Sequence, residues 1–169
     1  MAAGSTYTPI ATTTLGSAQS SVTFNSFSGY TDLVIIINNV KHSYGGSGTV
    51  RDDLLQFNSD TGSNYSLTQL AGDGSSAASY RYSNQTAVQT DYPMASASAG
   101  GTIIVNINNY SNSTTYKTVL QRTNTPDRVS AYVNLWRNTA AITSIKVGPS
   151  GSYTMSAGTV ITLYGIAAA

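Results

Sequence analysis

Between Arg128 and Asn138 the chain alternates without a break: Val129, Ala131, Val133 and Leu135 take turns with Ser130, Tyr132, Asn134 and Trp136. A period of two is the mark of a strand, because successive side chains leave a pleated backbone on opposite faces. Ile103, Val105 and Ile107 repeat the pattern against Asn106 and Asn108, and Thr159–Ile166 repeats it close to the C-terminus. Further strand-like segments are Ser20–Phe24, Thr31–Val40, Arg51–Phe57 (Leu55 and Phe57 on one face), Tyr65–Leu70, Ser79–Ser83, Thr86–Gln89, Lys117–Arg122 and Ile142–Val147. Within Thr31–Val40 the run Leu33–Ile37 is continuously apolar, which predicts a strand covered on both faces.

Polar turns separate these segments: Ser43–Thr49, Asn58–Tyr65, Asn109–Thr115 and Gly148–Gly151. Ala71–Gly101 is the least patterned stretch, with Gly/Ser loops and a break at Asp91-Tyr92-Pro93. No segment carries a helical period. The expected fold is all-β: an antiparallel β-sandwich, jelly-roll-like, of about eight or more strands. Its length suits one domain, placed at residues 15–169. Residues 1–14 read as an extended, Thr-rich N-terminal arm whose Pro9 suits a sheet edge or a strand start. The closing strand Thr159–Ile166 implies that the domain ends with it.

Composition supports the same reading. Only 9% of residues are charged, against about a quarter in an ordinary soluble domain. All seven carboxylates are Asp, and Ser and Thr supply about a quarter of the chain. Helix-favouring Glu is absent while strand-favouring Thr, Val, Ile and Tyr abound. Twelve tyrosines and the Val/Ile alternation exclude a disordered chain. A net charge of +1 gives no field to attract nucleic acid or an anionic membrane. No apolar run approaches the length of a membrane-spanning helix. There is no cysteine, so disulfides and thiolate metal sites are excluded. Met1–Thr6 lacks a basic and an apolar signal region, which points to synthesis in a cytoplasm.

Few residues form a chemical constellation. His42, the single histidine, stands at a strand end beside a Gly-rich loop and has no Gly-x-Ser-x-Gly partner, so it reads as a loop or interface residue. Asp52 and Asp53 are adjacent, and strand geometry sends them to opposite faces, away from shared acid–base work. Nothing selects a glycosidase pair from Asp60, Asp73, Asp91 and Asp127. Asn58–Asn64 resembles the start of a calcium loop, but position twelve is Gln69 instead of a bidentate acid. A turn held by Asx and hydroxyl bonds explains the same residues. The sequons at Asn64, Asn84, Asn109 and Asn112 follow from composition. No cofactor or metal is expected. Tyrosines interleaved with arginines are typical of interface centres. Tyr80, Arg81 and Tyr82 are the expected interface cluster, while Tyr132 and Trp136 are expected to cover an outer strand face.

Ordered motifs along the chain carry a family resemblance. They are Tyr7–Leu15 leading into Ser21–Phe24, then Tyr30–Val34, Phe57–Ser66, Leu70–Ser75, Asn109–Asn112, Leu135–Arg137 and Leu163–Ile166. Together they resemble small virion structural proteins of tailed bacteriophages, described as capsid decoration (cement) or tail-fibre components. The resemblance implies a non-enzymatic virion protein, assembled in the bacterial host cytoplasm. Its partners would be the major capsid protein and itself, as a homotrimer bound to the head shell. The alternative it implies is a tail-fibre module recognising host surface polysaccharide. On the decoration reading the N-terminal arm, through Tyr7, Pro9 and Ile10, is expected to strap onto a neighbouring sheet edge; on the tail-fibre reading the loops Ser43–Val50 and Ala71–Gly101 are expected to bind the polysaccharide.

Overall fold

The computed structural model describes residues 6–167. Its regular elements are twelve strands: β1 (Tyr7–Thr14), β2 (Val22–Asn25), β3 (Asp32–Val40), β4 (Thr49–Phe57), β5 (Tyr65–Gly72), β6 (Ala77–Gln85), β7 (Val88–Pro93), β8 (Gly101–Ile107), β9 (Lys117–Thr125), β10 (Arg128–Trp136), β11 (Ser144–Val147) and β12 (Val160–Ile166). They form an antiparallel sandwich of two sheets. One has eight strands in the order β1-β12-β3-β8-β9-β10-β5-β6, and the other has four in the order β2-β11-β4-β7.

Two hairpins, β5–β6 and β9–β10, stand apart from a simpler plan. Without them the other eight strands pair as one long hairpin rolled on itself. The first strand pairs with the last (β1 with β12), the second with the last but one (β2 with β11), then β3 with β8 and β4 with β7. That nesting is a jelly roll. The two extra hairpins join the free edge of β8 and extend its sheet as β9-β10-β5-β6, a wing beyond the rolled core.

The core lies between the sheets. Leu33, Ile35 and Ile37 of β3, Ile103, Val105 and Ile107 of β8, and Ile161 and Leu163 of β12 meet Phe24, Leu55, Phe57, Val88, Ile145 and Val147 from the smaller sheet. Each such side chain stabilises the fold by about 1.5–3 kcal/mol through burial. Where the wing joins the roll, Phe57, Tyr65 and Trp136 form an aromatic cluster with ring centroids 5.4–6.2 Å apart. In β12, Gly165 is needed for space: an added Cβ would lie 2.3 Å from the Tyr30 ring.

Several expectations change. The Asp91-Tyr92-Pro93 break lies inside β7, with Pro93 as its last residue. Proline is tolerated there because β7 is an edge of the smaller sheet. Tyr7–Thr14, expected as a free arm, is extended and hydrogen-bonded along β12 of its own chain; residues 1–5 lie outside the described part. His42, expected in a loop or interface, lies in the β3–β4 connection but is buried there, 1% exposed. The largest reversal is in β10. Tyr132 and Trp136, expected outside, are buried with Ser130 and Asn134, while Val129, Ala131 and Val133 face solvent. The physical reason is the aromatic cluster, which takes Trp136 inward and by the strand period takes Ser130, Tyr132 and Asn134 with it.

Candidate functional site: the outer face of the wing

The pairing register places the outward residues of the wing in rows across the strands. In one row Leu70 of β5 stands opposite Ala131, Ala131 opposite Arg122, Arg122 opposite Ile104, and Ile104 opposite Ile36 of β3. A neighbouring row runs Thr68, Val133, Leu120, Asn106, and on the other side Gly72 is followed by Val129 and Asn124. Val129 is 63% exposed, Leu70 61%, Val133 52% and Leu120 42%. Leaving that much aliphatic surface in water on one face is unfavourable, and contiguous patches of this kind mark interaction sites. Arg122 stands within the first row, and Arg81 of β6 extends the second one opposite Thr68.

The face is not flat. A groove of about 810 Å³ runs past Gly72, Val129 and Ile104, and a second of about 440 Å³ runs past Thr68, Leu120 and Val133. Leu70, Ala131 and Arg122 line both, so the two open hollows adjoin along their row.

The inner face of the same wing is polar where a core would be expected. Asp91 of β7, 1% exposed, accepts hydrogen bonds from Gln69 Nε2 at 2.8 Å and Ser130 Oγ at 2.7 Å. Arg128 Nη1 stands 3.9 Å from the same carboxylate. Thr123 donates to the Asp91 carbonyl and Gln121 to Thr90. Beside them both side-chain polar atoms of Asn134, and Oε1 of Gln89 and Gln121, have no hydrogen-bond partner among the described residues, while the Tyr132 hydroxyl stands against the Asp91 carboxylate and Ser130. Buried polar groups usually find partners, so this layer is a weak point of the sandwich. The wing thus turns its aliphatic side outward and its amides and hydroxyls inward.

The chemistry read from single residues resolves into structural roles. His42 Nδ1 accepts from the Tyr44 amide at 3.0 Å, and its Nε2 lies 2.8 Å from Asp52 Oδ2. Those two contacts define a neutral ring with the proton on Nε2. The ring packs against Tyr92 and Tyr153. Ser150 Oγ donates to Asp52 at 2.6 Å, so the hydroxyl meets the acid and not the imidazole. A histidine-activated nucleophile needs the reverse arrangement. Burial pushes the Asp52 carboxyl up, but hydrogen bonds from His42, Ser150 and the Asp53 amide outweigh it and hold the pKa below the usual value. Asp53 bonds instead to Gln89, and burial together with the nearby Asp52 charge raises its pKa.

In the Asn58–Asn64 loop the Asp60 carboxylate accepts from the Gly62 amide (2.9 Å), Asn64 Nδ2 (2.9 Å) and Trp136 Nε1 (2.7 Å). The oxygens that a calcium ion would need are engaged in holding a turn over the aromatic cluster.

The expected interface residues do not come together. Tyr7, Pro9 and Ile10 lie on β1, and Tyr80, Arg81 and Tyr82 on β6, at opposite edges of the eight-stranded sheet. Tyr7 meets Tyr164 edge-on, and Ile10 packs partly against the core. Tyr80 is exposed, whereas Tyr82 lies beneath the Arg51 guanidinium, 3.6 Å from its ring centroid. That cation–π contact joins β4 to β6, so Tyr82 holds the sheets together. Leu70, Leu120, Val129 and Val133 were not singled out by sequence. The available signal was that β10 has two faces each suited to burial: aliphatic on one side, aromatic and amide on the other.

No known protein family matches this chain, and no curated protein matches it. Among solved structures, scytalido-glutamic peptidase in complex with a transition-state analogue inhibitor aligns at 17% identity and TM-score 0.33, over 85% of this chain and 66% of the peptidase. A second structure of that peptidase, with a peptide-based analogue, aligns at 15% and 0.29 over 90% and 66%. The binding domain of botulinum neurotoxin DC aligns at 9% and 0.27 over 92% of this chain and 42% of that one. This chain therefore spans about two thirds of the peptidase and less than half of the toxin domain, at scores that carry no inference about chemistry.

Proposed function

We propose that this protein is a non-enzymatic virion structural component, a capsid decoration protein that binds and stabilises an assembled bacteriophage head shell. The observation that carries the reading is the wing. A jelly roll is complete with the eight nested strands, and the two added hairpins build a surface whose outer face is aliphatic and uncovered. A surface of that kind works by contact. A protein that binds the assembled shell and not its free subunits stabilises the shell by its binding free energy, multiplied over every symmetry-related site. The engagement of His42, Asp52, Asp60 and Asp91 in internal hydrogen bonds supports a role without catalysis.

Adding purified protein to shells that lack it tests the reading. Saturable binding, in proportion to the major capsid protein, with shells then surviving heating or chelator that bursts undecorated ones, is the expected result. Copies present in proportion to the tail, with binding to host polysaccharide that Tyr80→Ala abolishes, would replace it with the tail-fibre reading.

A further inference from the structure

We infer that the larger groove of the wing receives an extended, acidic and apolar segment of a shell subunit, with Arg122 and Arg81 as its charge partners. This deepens the decoration reading and rests on it. Three features of the face specify the occupant.

The first is relief. The groove passes from β6 to β8, which is four strand spacings or about 19 Å, the span of about six extended residues. It runs across the strands, so its occupant meets side chains and adds no strand to the sheet. Gly72, Ala77, Ser79 and Ala131 line it with little or no side chain, between Leu70 and Val129. A sheet surface sinks where its side chains are short, and large apolar side chains from a partner supply the missing volume. The second is charge. Arg122 lines the groove, and Arg81 stands three strands away in the neighbouring row, about 16 Å from it across the sheet. Both are exposed, and neither has an ion pair among the described residues.

The chain's own carboxylates do not serve these arginines. Asp32 of β3 accepts from the Asn109 amide. Asp73 and Asp127, in the turns at one end of the wing, bond within those turns. The other four are taken up by internal hydrogen bonds. An apolar groove flanked by two unmet guanidiniums is complementary to an apolar partner that carries carboxylates, whose charge fixes its register and speeds encounter. The third feature is what the face excludes. A second copy laid on it would bring arginine against arginine. A nucleic acid would find no aromatic ring in the groove on which to stack a base.

Binding isotherms of the purified full chain on shells that lack it test this. Arg122→Glu and Arg81→Gln probe the charge, and Ala131→Leu fills the groove without touching it. Lys146→Gln, which removes an exposed cation from β11 of the smaller sheet, is the control. All four positions are solvent-exposed, and far-UV circular dichroism confirms that each variant folds. The expected result is a dissociation constant raised at least about tenfold by Arg122→Glu and by Ala131→Leu, and about threefold by Arg81→Gln. The control should match wild type, and wild-type binding should weaken as salt is raised. Binding indifferent to either Arg122→Glu or Ala131→Leu, strengthened by Arg122→Glu, or weakened as much by Lys146→Gln, overturns the inference and leaves the decoration function standing. Shells that take up no wild-type protein refute the function, and the inference with it.

Discussion

Replacing Asp60 tests whether the polar loop over the aromatic cluster is a structural clasp. Trp136 is 0% exposed, and its indole N–H has Asp60 Oδ2 at 2.7 Å as its acceptor. Asp60→Ala strands that donor, at about 1–3 kcal/mol, and the loss of the bonds from Gly62 and Asn64 adds about 1 kcal/mol. The expected total is about 3 kcal/mol, or about 6–12 °C in Tm for a chain of this size. Asp60→Asn keeps one acceptor and should lose about half as much. Thermal and urea unfolding followed by circular dichroism give both values. The pH dependence has a defined sign. Burial raises the Asp60 pKa, but the bonds from Trp136, Asn64, Gly62 and Asn138 outweigh it and the net shift is downward from 3.8. A depressed carboxylate stabilises the fold above its unfolded pKa, and that contribution disappears as pH falls through the folded value. The gap between wild type and Asp60→Ala should therefore be full at neutral pH and narrow, towards the gap left by a neutral acceptor, below the ordinary aspartate range. A loss under about 0.5 kcal/mol, within the range of ordinary surface changes, would refute the clasp. So would a calcium-dependent rise in the wild-type Tm, which would show that the carboxylate is available to a metal.

Gly165→Ala drives a methyl into the Tyr30 ring and should cost about 1–3 kcal/mol by overpacking; Tyr30→Ala in the same chain should make the pair less than additive in urea unfolding. Tyr132→Phe removes a buried hydroxyl that stands against the Asp91 carboxylate and Ser130, so urea unfolding should show a loss of about 0.5–1.5 kcal/mol, and no loss would show the hydroxyl to be unbonded. Asp52→Asn should destabilise the protein at neutral pH, with the difference from wild type vanishing as pH falls through the depressed Asp52 pKa, read as Tm against pH.

Strand content was legible because a period of two needs no knowledge of partners. Ile103, Val105 and Ile107 were rightly placed on one face, and all three are buried. Which face of a strand points inward is a different question, decided by what lies across the sandwich. In β10 the Val129–Val133 side has the composition of a core, yet Trp136 is drawn into contact with Phe57 and Tyr65, residues about seventy to eighty positions away. Hydropathy along one strand carries no record of that contact. The β5–β6 hairpin and β7 were hard to read for a related reason. β6 is an edge strand, mostly exposed, and has little burial pattern to display. β7 buries Thr90 and Asp91 in a hydrogen-bonded layer, so its residues look like those of a turn.

Those same two regions decide what the molecule presents to its surroundings. Take away β5–β6 and β9–β10 and the eight nested strands still close a core of Ile, Leu, Val and Phe. The added hairpins join that core through Tyr65, Val119 and Trp136, but further out their inner residues, Gln69, Gln121, Ser130 and Asn134, form a polar layer with unmet hydrogen bonds, each a cost to folding. A wing kept only for stability would carry its aliphatic residues on the inner side and its amides outside. This one has the opposite order, so its aliphatic side gains burial only when something docks on it. On the proposed reading, docking would return to the wing the burial that its polar interior does not supply, so contact strength and interior weakness would be linked.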